Sequence, residues 1–133
     1  MSAASNYLEN AILNNVLGQA AMPSIANTHI ALFTAGPDDS GGGTEVSGSG
    51  YARVNLANNT TSWPTTSTGT KANGTNIVFP TAAGSWGTIT HFGIFSAASG
   101  GNLLFHGSLG TAKSVGSGDA PSFPIGSLTI TAD

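Results

Sequence analysis

Residues 84–109 read GSWGTITHFGIFSAASGGNLLFHGSL and hold two of the chain's three histidines, His91 and His106. Imidazole is a common ligand for transition metals. The SAASGG segment separates two apolar runs and predicts a hairpin. With the turn centred between Ala98 and Ser99, Ile94 faces Leu103 and Phe92 faces Phe105 on one side. His91 then faces His106 on the other side, where a one-residue slip would separate them. Two ligands do not make a metal site, and no Asp, Glu or Cys lies near either one in sequence. The third histidine, His29, starts a different run, so a site would have to be completed across a symmetry axis. The stronger reading is a structural hairpin with two half-exposed histidines on its outer face and no metal or cofactor.

Carboxylates are the next candidates. Asp38, Asp39 and Glu45 fall in PDDSGGGTE, a cluster of the kind that suits calcium. Its spacing does not match the D-x-[DN]-x-[DN]-G loop, and no helix flanks it, so a solvated turn is expected. A glycosidase pair would have to come from Asp38, Asp39, Glu45 and Asp119, all in predicted loops. The serines never occur as G-x-S-x-G. The glycine-rich stretches never read G-x-x-x-x-G-K-[ST]. With no cysteine, thiolate chemistry and disulfides are excluded as well. The acceptor-like triplets at Asn58, Asn59 and Asn73 read as loop tips, because no secretory signal is visible. The sequence predicts no enzyme.

Charge narrows the partners. Only 7% of residues are charged, against about 25% in an ordinary soluble domain. The cations are Arg53, Lys71 and Lys113, and the net charge is −3. Nucleic-acid binding needs several cations on one face, so it is not expected. No apolar run approaches a membrane span. A charge-poor surface resists association weakly, which suits a subunit that meets copies of itself.

The elements that must position these residues follow from periodicity. Residues 5–21, SNYLENAILNNVLGQAA, predict the one helix, capped by Ser5 or Asn6. Leu8, Ile12, Leu13, Val16 and Leu17 form its apolar stripe. That stripe covers a sheet or packs on a neighbouring subunit. Strands are predicted at 28–34, 51–57, 75–80, 86–95, 102–109 and 127–132, with a short one near 113–115. Long polar loops occupy 35–50 and 58–74, the second containing Trp63. The prediction is a single mainly β domain over 1–133. It is an antiparallel β-sandwich or barrel, jelly-roll-like, over 28–133, with one N-terminal α-helix. Trp86, Phe92, Ile94, Leu103 and Phe105 are the expected core of its hairpin.

Four stretches carry a resemblance: ALFTAGP, GTEVSGSGYAR, SWGTITHFGIF and GNLLFHG. With NYLENAILNNVLG before them and PSFPIGSLTIT after, the chain resembles the small tail-fibre-like structural proteins of tailed bacteriophages and prophages. The likeness covers nearly the whole chain and departs around residues 60–74. It implies a non-enzymatic virion component, either a tail-fibre-like subunit or a capsid-decorating subunit. It further implies assembly with itself, as a trimer at first expectation, and with other virion proteins. The alternative is a carbohydrate- or host-receptor-binding module with Trp63 and Tyr51 as stacking platforms.

Overall fold

A computed structural model describes residues 2–132. The strands are β1 (Ser2–Ala4), β2 (Asn27–Ala35), β3 (Thr44–Glu45), β4 (Val54–Ala57), β5 (Thr70–Ala72), β6 (Ile77–Val78), β7 (Gly87–Phe95), β8 (Leu103–Val115), β9 (Ser122–Phe123) and β10 (Thr129–Thr131). The single helix α1 spans Asn6–Val16. Six strands form one antiparallel sheet in the order β1-β8-β7-β2, with β3 and β4 sharing the far edge of β2. Strands β5 and β10 form a second, two-stranded sheet, and β6 and β9 a third.

One face of the large sheet supplies Ile30, Leu32, Ile89, Phe92 and Ile94 to the core. The small sheets and their loops return Ile77, Phe79, Leu128, Ile130 and Trp63. The result is a β-sandwich and not a closed barrel. The jelly-roll likeness extends to the packed layers, since the second layer is two ribbons and not one continuous sheet. β2 is central and is buried from Thr28 to Phe33, which explains why its sequence is an unbroken apolar run and not an alternation. Its back face carries a second, smaller cluster. A Cβ at Gly93 would lie 2.9 Å from the Phe33 ring, 3.1 Å from Phe95 and 3.2 Å from Leu103. Only glycine lets those three side chains meet there.

The hairpin of β7 and β8 forms with a different register from the one the sequence predicts. Ile94 pairs with Phe105, Phe92 with Gly107, Gly93 with His106, and His91 with Ser108. The turn is longer than two residues: the Ser96 N–H bonds the Asn102 carbonyl at 3.0 Å, and Asn102 N–H returns to Ser96 Oγ at 2.9 Å. A bulge beside Phe95 then shifts the ladder once more. Phe92, Ile94 and Phe105 keep to the core side, but Leu103 turns to the back face and Leu104 takes its place in the core. Further along, the predicted strands 102–109 and 113–115 are one strand. Its residues 109–112 bow out opposite Thr90 alone.

The helix is also shorter than the predicted 5–21. It ends at Val16, and the Asn14 and Asn15 carbonyls are closed by N–H groups of Ala20 and Gln19, each at 3.0 Å. The Asn15 side chain fixes this end by donating to the Ala20 carbonyl at 2.7 Å. Asparagine competes for backbone groups in this way, which makes it a poor residue for helix continuation.

Candidate assembly surface

The root of α1 is tied to the sheet by Ser5, which is only 2% exposed. Its N–H bonds the Leu104 carbonyl at 2.9 Å and its Oγ donates to the Leu103 carbonyl. The same Oγ accepts the Leu8 N–H at 3.2 Å, an N-cap. Asn6 N–H bonds the Asp39 carbonyl at 2.8 Å. Glu9 in the first turn suits the helix dipole.

Beyond that root the helix leaves the body of the protein. None of its residues is buried. Leu8 packs partly on the core, and exposure then climbs through Ile12 (40%), Leu13 (54%), Val16 (68%) and the capping residue Leu17 (80%). An isolated helix of this length is marginal in water. Beyond Leu8 its apolar stripe therefore has no cover within the described residues. Beside the root lies a groove of about 410 Å³, walled by Met22, Ile25, Trp63, Leu104, Phe105 and Ile130. Lys71 also lines it and donates from Nζ to the Trp63 carbonyl at 3.2 Å.

The predicted hairpin residues divide between core and back face. Trp86, Phe92 and Ile94 are buried in the core, and Phe105 packs against it half-buried. Trp86 donates from Nε1 to the Ser49 carbonyl at 2.9 Å and meets the Tyr51 ring edge-on at 5.3 Å. Leu103 lies behind the sheet with Phe33 and Phe95.

The histidines do not pair. His91 lies against Gly36, where a Cβ would come within 2.6 Å of the ring, and its Nδ1 meets Thr90 Oγ1 at 2.8 Å. His106 Nε2 meets Asp39 Oδ1 at 2.8 Å. Both lie under the loop after β2 and not in open solvent, because that loop folds back over the hairpin. His29 is buried with Nδ1 unpartnered. Burial lowers its pKa below the ordinary histidine value, and the Arg53 charge adds to this. No three His, Asp or Glu side chains gather at one point among the described residues.

The carboxylates are dispersed into separate tasks. Asp38 accepts the Ser40 hydroxyl at 2.6 Å and its N–H at 2.9 Å, and these bonds lower its pKa. Asp119 accepts the Gly116 N–H at 2.8 Å. Glu45 takes Arg53 through both oxygens, at 2.8 and 2.9 Å, and the Tyr51 hydroxyl at 2.7 Å. Burial pushes Glu45 up, but these bonds and the Arg53 charge outweigh it and hold its pKa down. Burial, and then Glu45, push the Tyr51 pKa far above its usual range. Arg53 also stacks over Phe95 at 3.7 Å and donates to the carbonyls of Ala97 and Gly100, each at 2.9 Å. The cluster thus binds two loops to one edge of the sheet.

Both aromatics named as stacking platforms are tied into the fold. Trp63 is 8% exposed and donates to Thr28 Oγ1 at 3.1 Å. Tyr51 sits between Phe79 and Trp86. The loop at 58–74 folds inward because Trp63 has a core position to fill. Asn73 was expected at a loop tip and is instead 1% exposed. Its Nδ2 donates to the carbonyls of Thr75, Phe123 and Pro124 at 2.8, 3.2 and 3.0 Å, and its Oδ1 accepts the Leu128 N–H at 2.9 Å. Sequence reasoning missed Asn73 and Leu104. The only local signal for Asn73 is the turn-forming Asn-Gly pair.

No curated protein sequence matches the chain. The family model described as the podophage GP4 fiber I protein gp80 matches residues 3–131. Covering nearly the whole chain, that match places this protein in the gp80 family of phage fibre proteins, a tail-fibre-like structural family.

Proposed function

We propose that this chain is a non-enzymatic building subunit of a phage fibre, and that it joins copies of itself through α1. The observation that carries this reading is the helix stripe, whose apolar residues are exposed on a helix too short to persist alone. Large exposed apolar side chains in a row mark interaction surfaces more often than accidents. The scarcity of charge points the same way, because interface cores are depleted in charged residues. On this reading the copies close as a trimer, and the fibre family supports residence on the virion. The non-enzymatic reading is supported by the same family and by the occupation of Asp38, Glu45 and Asp119 in structural hydrogen bonds.

Incorporation into particles tests this. Phage carrying Leu13→Asp with Val16→Asp are expected to assemble heads and tails while the purified particles lack this chain. Wild-type particles are expected to contain it in a fixed ratio to the tail proteins. Wild-type particles that lack the chain, or variant particles that carry it at the wild-type ratio, would overturn the proposal.

A further inference from the structure

The stripe and the groove are two uncovered apolar features of one chain, and they complement each other. We infer that the groove walled by Met22, Ile25, Trp63, Leu104, Phe105 and Ile130 receives α1 of a second copy. This rests on the reading that copies join through α1, and it names the surface that the helix meets.

Three observations carry it. First, each side is incomplete: beyond Leu8 the stripe has no cover among the described residues, and the groove is open and mostly apolar. Second, the charges match. Glu9, Ile12, Leu13 and Val16 stand at i, i+3, i+4 and i+7, so they share one helix face. Glu9 is the only charged residue of that helix, and it makes no ion pair among the described residues. Lys71 is the one charged residue lining the groove, and it too has no carboxylate partner among the described residues. A helix laid in the groove would bring the acid to the base along with the stripe. Third, within one chain only Leu8 of the stripe reaches the groove, and Ile12, Leu13, Val16 and Leu17 stay exposed. Ser5 fixes the root of α1 to β8 beside the groove and Asn6 to the loop after β2, and exposure rises along the helix as it runs outward. The contact is therefore of the knob-to-hole kind, in which every copy gives one helix and accepts one. Such head-to-tail contacts close into rings when the rotation permits, and a ring of three needs no second kind of interface.

Mixing purified variants tests the inference. The helix variant is Leu13→Asp with Val16→Asp. The groove variant is Ile25→Asp, with Ala132→Trp as a second route, since Ala132 is exposed at the groove and its replacement leaves the core intact. Native mass spectrometry of each is expected to show monomer, and a mixture of the two is expected to show a one-to-one heterodimer. That dimer forms because one intact helix meets one intact groove, and it cannot grow further. Charge exchange gives an independent reading: Glu9→Lys alone and Lys71→Glu alone should each weaken assembly roughly tenfold, and the two together in one chain should restore it. A groove variant with the wild-type melting curve that still assembles like wild type would overturn the inference and leave assembly through α1 standing. So would a charge pair in which the double exchange fails to recover. A wild-type chain that stays monomeric would overturn assembly through α1 itself, and the groove contact with it.

Discussion

Replacing Asn73 with Ala should be among the most damaging single changes in the molecule. The side chain is bonded on both sides while buried: its two Nδ2–H groups serve three carbonyls, one N–H being shared, and its Oδ1 accepts the Leu128 N–H. The same residue's N–H and carbonyl bond Leu128 and Gly126, so one position holds the segment before β6 against the segment before β10. A net contribution of about 1 kcal/mol per bond, with the added cost of stranding a buried N–H, gives a loss of roughly 3–5 kcal/mol. A protein of this size has a total stability of about 5–15 kcal/mol. The expected fall in melting temperature is roughly 10 °C or more. Urea unfolding followed by tryptophan fluorescence measures the loss, since Trp63 and Trp86 are both in the core. Thr68→Ala, at an exposed position, is the comparison and should stay within about 0.5 kcal/mol. Asn73→Asp should be no better than Asn73→Ala, because a carboxylate has no N–H to give to the carbonyls around it. An Asn73→Ala loss below about 1 kcal/mol would show that the bracket is not what joins these segments, and the reasoning would fail.

Arg53→Met should cost about 3–5 kcal/mol in the same assay, because it leaves Glu45 without its ion-pair partner in a largely buried cluster; a neutral result would mean that the loops are held by packing alone. Stability should fall as the pH drops below the ordinary histidine value of 6.5, because burial lowers the folded-state pKa of His29 and the unfolded chain takes up the proton first. Glu45, whose pKa is also lowered, should add a second loss as the pH falls below its ordinary value of 4.5. His29→Gln should flatten the first slope and leave the second, as read from melting temperatures across pH. His91→Ala with His106→Ala should cost about 1–2 kcal/mol through the lost contacts with Thr90 and Asp39. A chelator should leave the melting temperature of both that variant and the wild type unchanged, whereas a chelator-sensitive wild type would make the histidines a metal site.

What the sequence could reveal was decided by the length scale of each interaction. The stripe of α1, the buried run of β2 and the strands of the hairpin are written in local periodicity, and each forms near its predicted place. β1, β3, β5 and β9 are two or three residues long, so they carry no period to detect. β1 and β3 exist because the long strands β8 and β2 offer them an edge, whereas β5 and β9 pair with strands as short as themselves. The hairpin register depended on a loop whose closure at Ser96 and Asn102, and whose hold by Arg53, come from residues outside the turn itself. The inward fold of the 58–74 loop could not be read from its polar composition, because Trp63 finds its partner Thr28 far away in the chain. The candidate assembly surface was half legible: the stripe stands in the sequence, whereas the groove is gathered from residues between 8 and 132.

The central claim is that α1 is an assembly element and not a cover for the chain's own core. Sedimentation equilibrium of the wild-type chain beside Leu13→Asp with Val16→Asp, at matched concentrations, tests it most directly. The account predicts a wild-type species of higher order, with a three-fold mass, and a variant that is monomeric while keeping the wild-type melting temperature. A variant that unfolds would contradict the claim by showing that the stripe serves the fold, and a wild-type chain that remains monomeric at high concentration would contradict it outright.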